Sequence, residues 1–532
     1  MNALTRYIRS FKQQGLERVP TDTVIPLYDH DDTHANRNIA FEFVMQFDEV
    51  LDAEKLADAL WRLIEKPGWK KLGARMRMND KSRLEYHIPA EFTKERPPIN
   101  FTKTKYDMTV SANPVTANLP RGNSKLEIFN LEDPLRETLG LKDNTRLLAD
   151  WLYADKAQLG LHVCTFNDGT FVILIWIHTL LDAMGRNALL KAWTAMLDGR
   201  EEDVPEFFGY DSDPLAKLGA PPHEVAVNGS ETPKIEDFVL KEQQVGGLGF
   251  AKFIYNMIWE TFWYPKEHGR VICMPPSYFS ALKQRSFKEL ESLDPSLLTI
   301  NSTTGKPFLS DGDILMAFTT QLIARSNPEL QTASAATRTI HLMNVFGMRD
   351  ILSTTSCGYT PLLPKDKVYI ANCVSSISSL LTLHDFLTMP LGHLAARIRR
   401  DLTIQGTRAQ LEASQRLARP NGGPYQPVLF GSGDMVLSAF SNWTKAKLFA
   451  TDFSAAIVTE ATILRTAGAR GKPVFIHPDS NIAKGFTLRG SGNCTGRDAE
   501  GNYWLSAMLR YEFQENMVKL VEEMNRDEFR DA

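Results

Sequence analysis

The sequence has few cysteines, no block of basic residues and no long apolar run, and each absence excludes a class of protein. The five cysteines are scattered without CxxC spacing, which argues against a disulfide framework and against a structural zinc site. The formal net charge is −4 and lysine and arginine are not clustered, so we expect no nucleic-acid-binding face. No apolar run reaches the ~18 residues that a membrane-spanning helix needs.

The remaining composition is that of an ordinary globular protein. The chain has 532 residues, of which 43% are hydrophobic and 23% are charged, and this length favours two domains over one. The first 20 residues carry several basic side chains and few apolar ones, so no secretory signal peptide is predicted. We therefore expect a cytoplasmic, monomeric protein without a transmembrane segment.

The N-terminal part shows clear periodic patterns. Residues 39–47 predict a strand, and Asp52 is expected to cap a helix from Glu54 to about Glu65. Two β-rich runs, residues 159–166 and 171–177, are separated by Asn-Asp-Gly-Thr, which predicts a hairpin.

The second strand of that hairpin precedes the most informative stretch of the chain. Its sequence, Phe-Val-Ile-Leu-Ile-Trp-Ile, is apolar on both faces, which is typical of a strand inside a covered sheet. His178 follows directly, and a helical pattern resumes from about Arg186 to Leu197. His178 thus lies where a central strand leaves the sheet, a place where α/β proteins present functional side chains.

Residues 201–268 differ in composition and predict a linker or crossover. Acidic residues and prolines dominate its first part. Residues 249–264 are rich in aromatic side chains and predict a helix packed across the domain junction. The alternatives are a channel wall or an interfacial, membrane-touching helix, although the segment has too few cations to favour a membrane.

The C-terminal part mixes strands and helices, so the predicted fold class is α/β, with α+β mixing. Ser310 is expected to cap a helix that carries Asp313 at its third position. The other predicted elements are strands at residues 270–274, 338–345, 368–374, 435–440, 473–476 and 503–509, and helices at residues 276–283, at residues 384–402 and at the end of the chain.

One motif carries chemistry. His178 is followed by Asp182 four residues later and by Gly185, at the end of a strand that follows an Asp-Gly turn. This arrangement resembles the HxxxDG signature shared by BAHD acyltransferases and the condensation domains of peptide synthetases. Ala183 stands where the signature usually has glycine. A His-x-x-x-Asp pair alone is weak, since a lone histidine is more often structural than catalytic.

Further matches follow in the order expected for the BAHD type, and they cover most of the chain. They are residues 51–75 with the first helix and strand, Ser310 to Ala324 with a helix of the second domain, Asn344 to Arg349 with an Asn-x-Arg strand, Tyr369 to Asn372 with a Tyr-Phe-Gly-Asn segment, and Asp452 to Ala456 with an Asp-Phe-Gly-Trp-Gly loop whose last three positions differ here. The pattern is most similar to fungal acyltransferases of specialised metabolism, such as the trichothecene acetyltransferases.

The resemblance implies two chloramphenicol-acetyltransferase-like domains, each a mixed sheet flanked by helices, with a central channel at their interface. We place the N-terminal domain at residues 1–200, the linker at 201–268 and the C-terminal domain at 269–532. In such proteins acyl-CoA enters the channel on one side and the acceptor on the other. Residues 434–452 would line the coenzyme side, and acyl-CoA is a co-substrate, with no bound cofactor and no metal.

His178 is the candidate general base. An unperturbed imidazole has a pKa of about 6.5, so its neutral form can accept the acceptor's proton near pH 7. The chain has no Gly-x-Ser-x-Gly elbow, in keeping with direct attack by the acceptor and no acyl-enzyme.

Asp182 by itself could orient the imidazole, as in a triad. The resemblance instead implies that Asp182 shapes the loop by binding an arginine, for which we favour Arg349, with Asp452 as the competing carboxylate.

Other candidate residues are less determined. Backbone N–H groups after His178, or side chains near Asn372, Ser438 and Ser441, are the candidate donors to an oxyanion, and Trp443 is a further channel candidate. His30 and His34, with their acidic neighbours Asp29, Asp31 and Asp32, are expected to form a solvated loop and not a metal site.

The predicted reaction is therefore the transfer of an acyl group from acyl-CoA to a hydroxyl, or an amine, of a small specialised metabolite. Two alternatives stay open from the sequence. One is a condensation-type enzyme that takes its acyl group from a carrier protein. The other is a catalytically silent member of the fold that acts as a binding or scaffold protein.

Overall fold

The computed structural model of the protein describes residues 17–131, 134–141, 144–220, 235–356, 358–420, 425–459 and 469–528. The middle of the predicted linker, residues 221–234, and Cys357 lie outside these ranges. Within them, no helix is both long and apolar enough to span a lipid bilayer.

Strands and helices are mixed along the whole described chain, as the sequence predicts for a mixed α/β fold. The strands are β1 (Thr23–Pro26), β2 (Ile39–Phe47), β3 (Val50–Leu51), β4 (Arg75–Met78), β5 (Leu84–Ile88), β6 (Asn100–Lys105), β7 (Glu127–Asn130), β8 (Gly160–Thr165), β9 (Thr170–Ile177), β10 (Glu267–Met274), β11 (Thr339–Gly347), β12 (Val374–Thr382), β13 (Val436–Asn442), β14 (Ile457–Thr459), β15 (Phe475–Ile482), β16 (Gly492–Arg497) and β17 (Tyr503–Arg510).

The helices are α1 (His34–Arg37), α2 (Ala53–Glu65), α3 (Pro134–Thr138), α4 (Leu148–Leu152), α5 (Ala183–Leu197), α6 (Gly247–Trp263), α7 (Pro276–Glu289), α8 (Asp311–Arg325), α9 (Arg349–Leu352), α10 (Leu383–Thr388), α11 (Leu391–Gln405), α12 (Arg408–Ala418) and α13 (Gln514–Glu528). Short 3₁₀ turns connect several of them.

Two large mixed sheets organise the fold. In the described residues one has five strands in the order β15-β2-β9-β8-β6, and the other has seven in the order β12-β11-β13-β16-β17-β10-β7. Smaller sheets pair β1 and β4 with β5, and β14 with β3. Most neighbouring strands are antiparallel, whereas β6 with β8, β11 with β13 and β13 with β16 run parallel.

Each half of the chain contributes a strand to the sheet of the other half. β15, from the C-terminal part, pairs antiparallel with β2 at the edge of the five-stranded sheet. β7, from the N-terminal part, pairs antiparallel with β10 at the edge of the seven-stranded sheet. These exchanges join the two sheets, and the domain boundaries given above stay a prediction.

Each large sheet has its own apolar core. Every residue of β2 and of β9 is buried, because helices and the neighbouring sheets cover both faces of these strands. Helices α2 and α5 pack on the five-stranded sheet, where the Trp193 indole N–H donates to the Leu56 carbonyl at 2.9 Å. The core of the seven-stranded sheet is built around α8, which is buried from Asp313 to Ala324.

Several sequence predictions are confirmed by these elements. β2 has the predicted bounds, and Asp52 caps α2 by accepting from the N–H groups of Glu54 and Lys55. Strands β8 and β9 form the predicted hairpin. Ser310 and Asp313 form a reciprocal capping box at the start of α8.

Three predicted elements are wrong in position. The strand expected at residues 368–374 starts only at Val374, and Val368 makes one isolated bridge to Phe207. The helix expected at residues 384–402 is two helices, α10 and α11, because Pro390 cannot donate a backbone hydrogen bond. The strand expected at 473–476 extends to Ile482 and includes Pro478, which an edge strand accommodates.

The aromatic helix α6 is more exposed than the sequence suggests. The predicted helix is present over Gly247–Trp263, but none of its residues is buried, and its packing across a domain junction stays a prediction. Its outer side exposes apolar side chains, among them Leu248 and Tyr255, which are 91% and 61% exposed. Ile258, Thr261 and Phe262 line the large cavity described below, as in the channel-wall alternative. Its polar residues Lys252, Asn256 and Glu260 recur every four positions and contact Asp434, Gly433 and Arg510, so the polar side of the helix faces the protein, contrary to the usual amphipathic pattern.

Candidate active site

A cavity of about 1160 Å³ lies where the two large sheets meet. The five-stranded sheet contributes Phe41 and Trp176, and the seven-stranded sheet contributes Ser441 and Ser506. His178 and the start of α5 line the same cavity. The histidine singled out by the sequence therefore lies in the wall of a cavity bordered by both halves of the chain.

His178 is held at the end of β9 by the sheet itself. Its backbone N–H donates to the Ile39 carbonyl at 2.9 Å, and its ring centroid lies 5.2 Å from that of Phe41. Nδ1 is enclosed, and no described group meets hydrogen-bond geometry with it. Because the ring lines the cavity, Nε2 is the nitrogen available to a bound molecule.

Burial lowers the pKa of His178 below its usual value, because an imidazolium ion is poorly solvated in this position. The Arg186 guanidinium lowers this pKa further, while the ring's own backbone carbonyl, the Asp182 carboxylate and Asn372 oppose the shift. The imidazole is therefore neutral at pH 7, the state in which it can accept a proton.

Asp182 is the N-cap of α5, and both of its carboxylate oxygens are engaged. Oδ1 accepts from the backbone N–H groups of Met184 and Gly185, at 3.1 and 2.9 Å. Oδ2 accepts from the Arg349 guanidinium at 2.8 Å and from the Cys373 N–H at 2.9 Å. Burial alone would raise the pKa of Asp182, but Arg349 and these N–H groups hold it below its usual value.

Arg349 joins Asp182 to the segment before β12. Besides Asp182, its guanidinium donates to the backbone carbonyls of Tyr369 and Ala371, at 3.0 and 2.6 Å. Those carbonyls are thereby removed from any sheet ladder, which explains why the strand predicted at residues 368–374 does not form. Asp452 does not contact Arg349, and its carboxylate instead accepts from the Ser454 N–H at 2.9 Å.

Asn372 lies beneath the His178 turn and does not line the cavity in the described structure. Its side-chain N–H₂ donates to the His178 carbonyl at 2.9 Å and to Asp31 Oδ1 at 2.8 Å. The Asn372 backbone N–H donates to the same Asp31 oxygen at 2.8 Å. Asp31 thus anchors the residue that supports His178.

The position of Asp31 corrects a sequence prediction. Asp31 and His30 are buried, 2% and 8% exposed, and do not belong to a solvated loop. Burial raises the pKa of Asp31 to about 7, while Lys71 and Asn372 act in the opposite direction. The run Asp-His-Asp-Asp in the sequence does not show which of its members is buried, because the groups that enclose it are distant in the chain.

Gly185 is required by a close backbone approach. A Cβ atom at this position would lie 1.9 Å from the Ile370 carbonyl oxygen, so any larger residue would push α5 away from the segment before β12. The glycine of the His178 motif therefore serves the same packing as the Asp182–Arg349 pair.

The remaining candidate residues divide between the cavity and the core. Ser441 and Trp443 line the cavity, and the Trp443 indole N–H donates to the Ser441 hydroxyl at 2.8 Å. Ser438 is buried, and its hydroxyl donates to the Gly490 carbonyl at 2.7 Å. In the described structure Ser438 does not line the cavity. Side chains alternate along β13, so Ser438 and Ser441 point to opposite faces of the sheet.

Comparison with known proteins gives full-length relatives from fungi. The chain is 34% identical to the transcriptional regulator calD of Penicillium decumbens, over 94% of this chain and 96% of calD. It is 32% identical to the acetyltransferase adrJ of Penicillium rubens, over 92% and 94% of the two chains. It is also 32% identical to the acetyltransferase sphE of Aspergillus fumigatus, over 96% and 97%. No family model matches the chain.

Solved structures share the fold at low sequence identity. TRI101 of F. sporotrichioides, crystallised with coenzyme A and T-2, superposes with a TM-score of 0.58 at 15% identity, covering 93% of this chain and 97% of TRI101. Vinorine synthase superposes with a TM-score of 0.53 at 12% identity, covering 94% and 96%. The arrangement is thus the two-domain fold of chloramphenicol-acetyltransferase-like proteins.

Proposed function

Because this chain belongs to the fungal acyltransferases of the BAHD type, we propose that it transfers an acyl group from acyl-CoA to a hydroxyl of a specialised metabolite, with His178 as the general base. Acyl transfer is the activity named for its acetyltransferase relatives. The coenzyme donor, the hydroxyl acceptor and the role of His178 are our own assignment.

The observation that carries the proposal is the place of the His178 ring. It lies in the wall of a cavity of about 1160 Å³, and ligand cavities in proteins are commonly about 300–1000 Å³. The cavity is therefore large enough to hold an acyl-pantetheine arm and an acceptor together. TRI101, which shares the fold, has been crystallised with coenzyme A together with T-2 or deoxynivalenol.

The reaction needs one proton acceptor and no protein nucleophile. The acceptor O–H gives its proton to His178 Nε2 while its oxygen attacks the thioester carbonyl. The tetrahedral intermediate then collapses, the carbon–sulfur bond breaks, and the proton on His178 returns to the departing thiolate. Ester and free thiol are the products, and the imidazole is again neutral.

The cysteines of the described residues are poor nucleophiles for an acyl-enzyme route. Burial raises the pKa of Cys164, Cys273, Cys373 and Cys494 to about 12, so these thiols are protonated at neutral pH. Direct attack by the acceptor fits this set of groups.

The test is thiol release from a panel of acyl-CoA donors, with and without candidate alcohols. We expect acceptor-dependent thiol release by the wild-type protein, and a ~10²–10⁴-fold lower turnover for His178→Gln with unchanged thermal stability. His477→Gln is the matched control, because His477 lines the same cavity and has no assigned role. Equal losses in the two variants, or turnover retained by His178→Gln, would refute the role of His178.

Two alternatives are separated by the same assay. A condensation-type enzyme would release thiol from an acyl-carrier protein and not from acyl-CoA. A catalytically silent member would turn over neither donor, and the relatives calD and sdnM, both named transcriptional regulators, favour testing this case. A binding function would be supported over catalysis by two results together. The wild-type protein would release thiol from no donor, and the His178→Ala variant would leave the cellular phenotype unchanged.

A further inference from the structure

Arg186 is an arginine that the proposed reaction does not use. It lies on the first turn of α5, lines the cavity and is only 2% exposed. Its guanidinium carbon lies 4.2 Å from the ring centroid of Phe43, 4.5 Å from that of Trp443 and 5.7 Å from that of Trp176. A planar cation is thus held among three aromatic rings in the wall of the cavity.

The charge of Arg186 has no protein anion paired with it among the described residues. Nε and Nη2 are enclosed and meet no hydrogen-bond acceptor there. Asp182 is the carboxylate whose charge reaches Arg186, but its oxygens are already bound to Arg349 and to three backbone N–H groups. Burial lowers the pKa of Arg186 to about 9, so the guanidinium still carries its charge at neutral pH.

A buried, unpaired cation is costly, because burial removes most of its hydration. A structural role would be served as well by an apolar side chain of similar length, since the surroundings are aromatic. The cation gains compensation when an oxygen anion enters the cavity beside it. Cation–π contacts meanwhile fix the plane of the guanidinium and therefore the direction of its hydrogen bonds.

We propose that Arg186, with Phe43, Trp176 and Trp443, forms a binding subsite for an anionic oxygen of the substrate. This inference rests on the proposed acyl transfer and specifies the substrate chemistry at that site. Nη1, the guanidinium nitrogen that is not enclosed, would donate the hydrogen bond from the cavity wall.

The anionic oxygen has two chemical sources. One is a carboxylate carried permanently by the acyl group, which would make Arg186 a specificity residue for acidic acyl donors. The other is the oxyanion of the tetrahedral intermediate, which exists only during the reaction and would make Arg186 a catalytic residue. The first acts on binding, and the second acts on turnover.

The experiment compares succinyl-CoA, whose acyl chain ends in a carboxylate, with butyryl-CoA, which is neutral. Binding to the full chain is measured by tryptophan fluorescence, and turnover by thiol release. The variants are Arg186→Met, which removes the positive charge, and Arg186→Lys, which keeps the charge but lacks the planar guanidinium group. Arg408→Lys is the matched control, since Arg408 is equally buried and lies over the Tyr359 ring, but pairs with Glu412 at 2.8 Å and does not line the cavity in the described structure.

If the carboxylate is the ligand, wild-type protein should bind succinyl-CoA at least tenfold more tightly than butyryl-CoA, and Arg186→Met should abolish that difference. If the oxyanion is the ligand, both donors should bind alike, and Arg186→Met should lower kcat at least tenfold for each without changing Kd. Arg186→Lys should recover part of either loss, and Arg408→Lys should leave both quantities unchanged.

The subsite is refuted if the wild-type protein shows no preference for the acidic donor and Arg186→Met keeps its kcat. It is also refuted if Arg186→Met raises the melting temperature and leaves binding and turnover intact, because the cation would then have no ligand. Should Arg186→Met fail to fold, the wild-type preference and the Arg186→Lys variant decide the question. Failure of the proposed acyl transfer is distinct, since it removes all thiol release while donor binding can still be measured.

Discussion

The carboxylate of Asp182 binds the guanidinium of Arg349 at 2.8 Å, across 167 residues of chain. This pair joins the helix that follows His178 to the segment that precedes β12, and so connects the two halves beside the cavity. Asp182 makes no hydrogen bond to His178 in the described structure, because its two oxygens accept hydrogen bonds from Arg349 and from three backbone N–H groups. The geometry favours a structural role for Asp182 over that of a triad carboxylate.

We expect Asp182→Asn to lower both stability and turnover. The neutral amide would leave the buried Arg349 uncompensated, and breaking a buried ion pair costs about 3–5 kcal/mol. Urea unfolding measures the free energy of unfolding, and thiol release measures turnover. Asp452→Asn is the control, because among the described residues its carboxylate accepts only the N–H of Ser454, and it should change stability by less than ~1 kcal/mol. An Asp182→Asn protein with wild-type stability and no turnover would contradict the structural role.

The pH dependence of kcat/KM should follow the ionisation of His178. A general base acts when neutral, so activity should be constant at neutral pH and fall on acidification, with a midpoint below about 6.5. Removing the cation in Arg186→Met should move that midpoint upward, because Arg186 lowers the pKa of His178. A midpoint above 7, or one that shifts downward in Arg186→Met, would show that another group controls the rate.

Asn372→Ala should weaken the support of His178 without removing a group from the cavity. The substitution deletes hydrogen bonds to the His178 carbonyl and to the buried Asp31, and an unsatisfied buried acceptor costs about 1–3 kcal/mol. We expect kcat to fall by a factor of ~10 or more with little change in KM for the acyl donor. Ser438→Ala, which removes one buried hydrogen bond away from the cavity, is the comparison. Equal kinetic losses in both variants would mean that Asn372 acts only through general stability.

Acidification should destabilise the protein partly through His341. Burial lowers the pKa of this histidine to about 4, and its Nε2 lies 2.8 Å from the Ser378 hydroxyl. The unfolded chain therefore binds more protons than the folded one between about pH 6.5 and 4, so stability is lost as pH falls through that window. His341→Gln should reduce this loss by ~3 kcal/mol, because each pKa unit corresponds to about 1.4 kcal/mol. Identical slopes of unfolding free energy against pH in the two proteins would contradict this.

The local patterns predicted the framework of the site well. β2 and β9 are apolar on both faces and both are fully buried, while the Asn-Asp-Gly-Thr turn joins β8 to β9. His178 follows β9 and lines the cavity. Such features depend on neighbours within a few residues, so a single sequence records them.

The sequence predictions that were wrong share one cause, namely contacts between segments that are distant in the chain. Residues 368–374 have strand-like side chains, but several of their backbone groups bond outside a sheet. Arg349 donates to the Tyr369 and Ala371 carbonyls. The N–H groups of Asn372 and Cys373 donate to Asp31 and Asp182. The burial of Asp31 and the aromatic surroundings of Arg186 likewise come from elements far away in the chain. Composition gives no sign of them.

The sequence by itself determined the fold class, the strand that carries His178 and the helix that Asp182 caps, because hydrophobic periodicity and capping act over short stretches of chain. The tertiary structure decided that Arg349 binds Asp182 and not the competing Asp452. It also showed that Asn372 supports the His178 turn and that Arg186 has no anionic partner among the described residues. Those outcomes depend on how the two sheets exchange strands β7 and β15, and so on distances that the order of residues does not record.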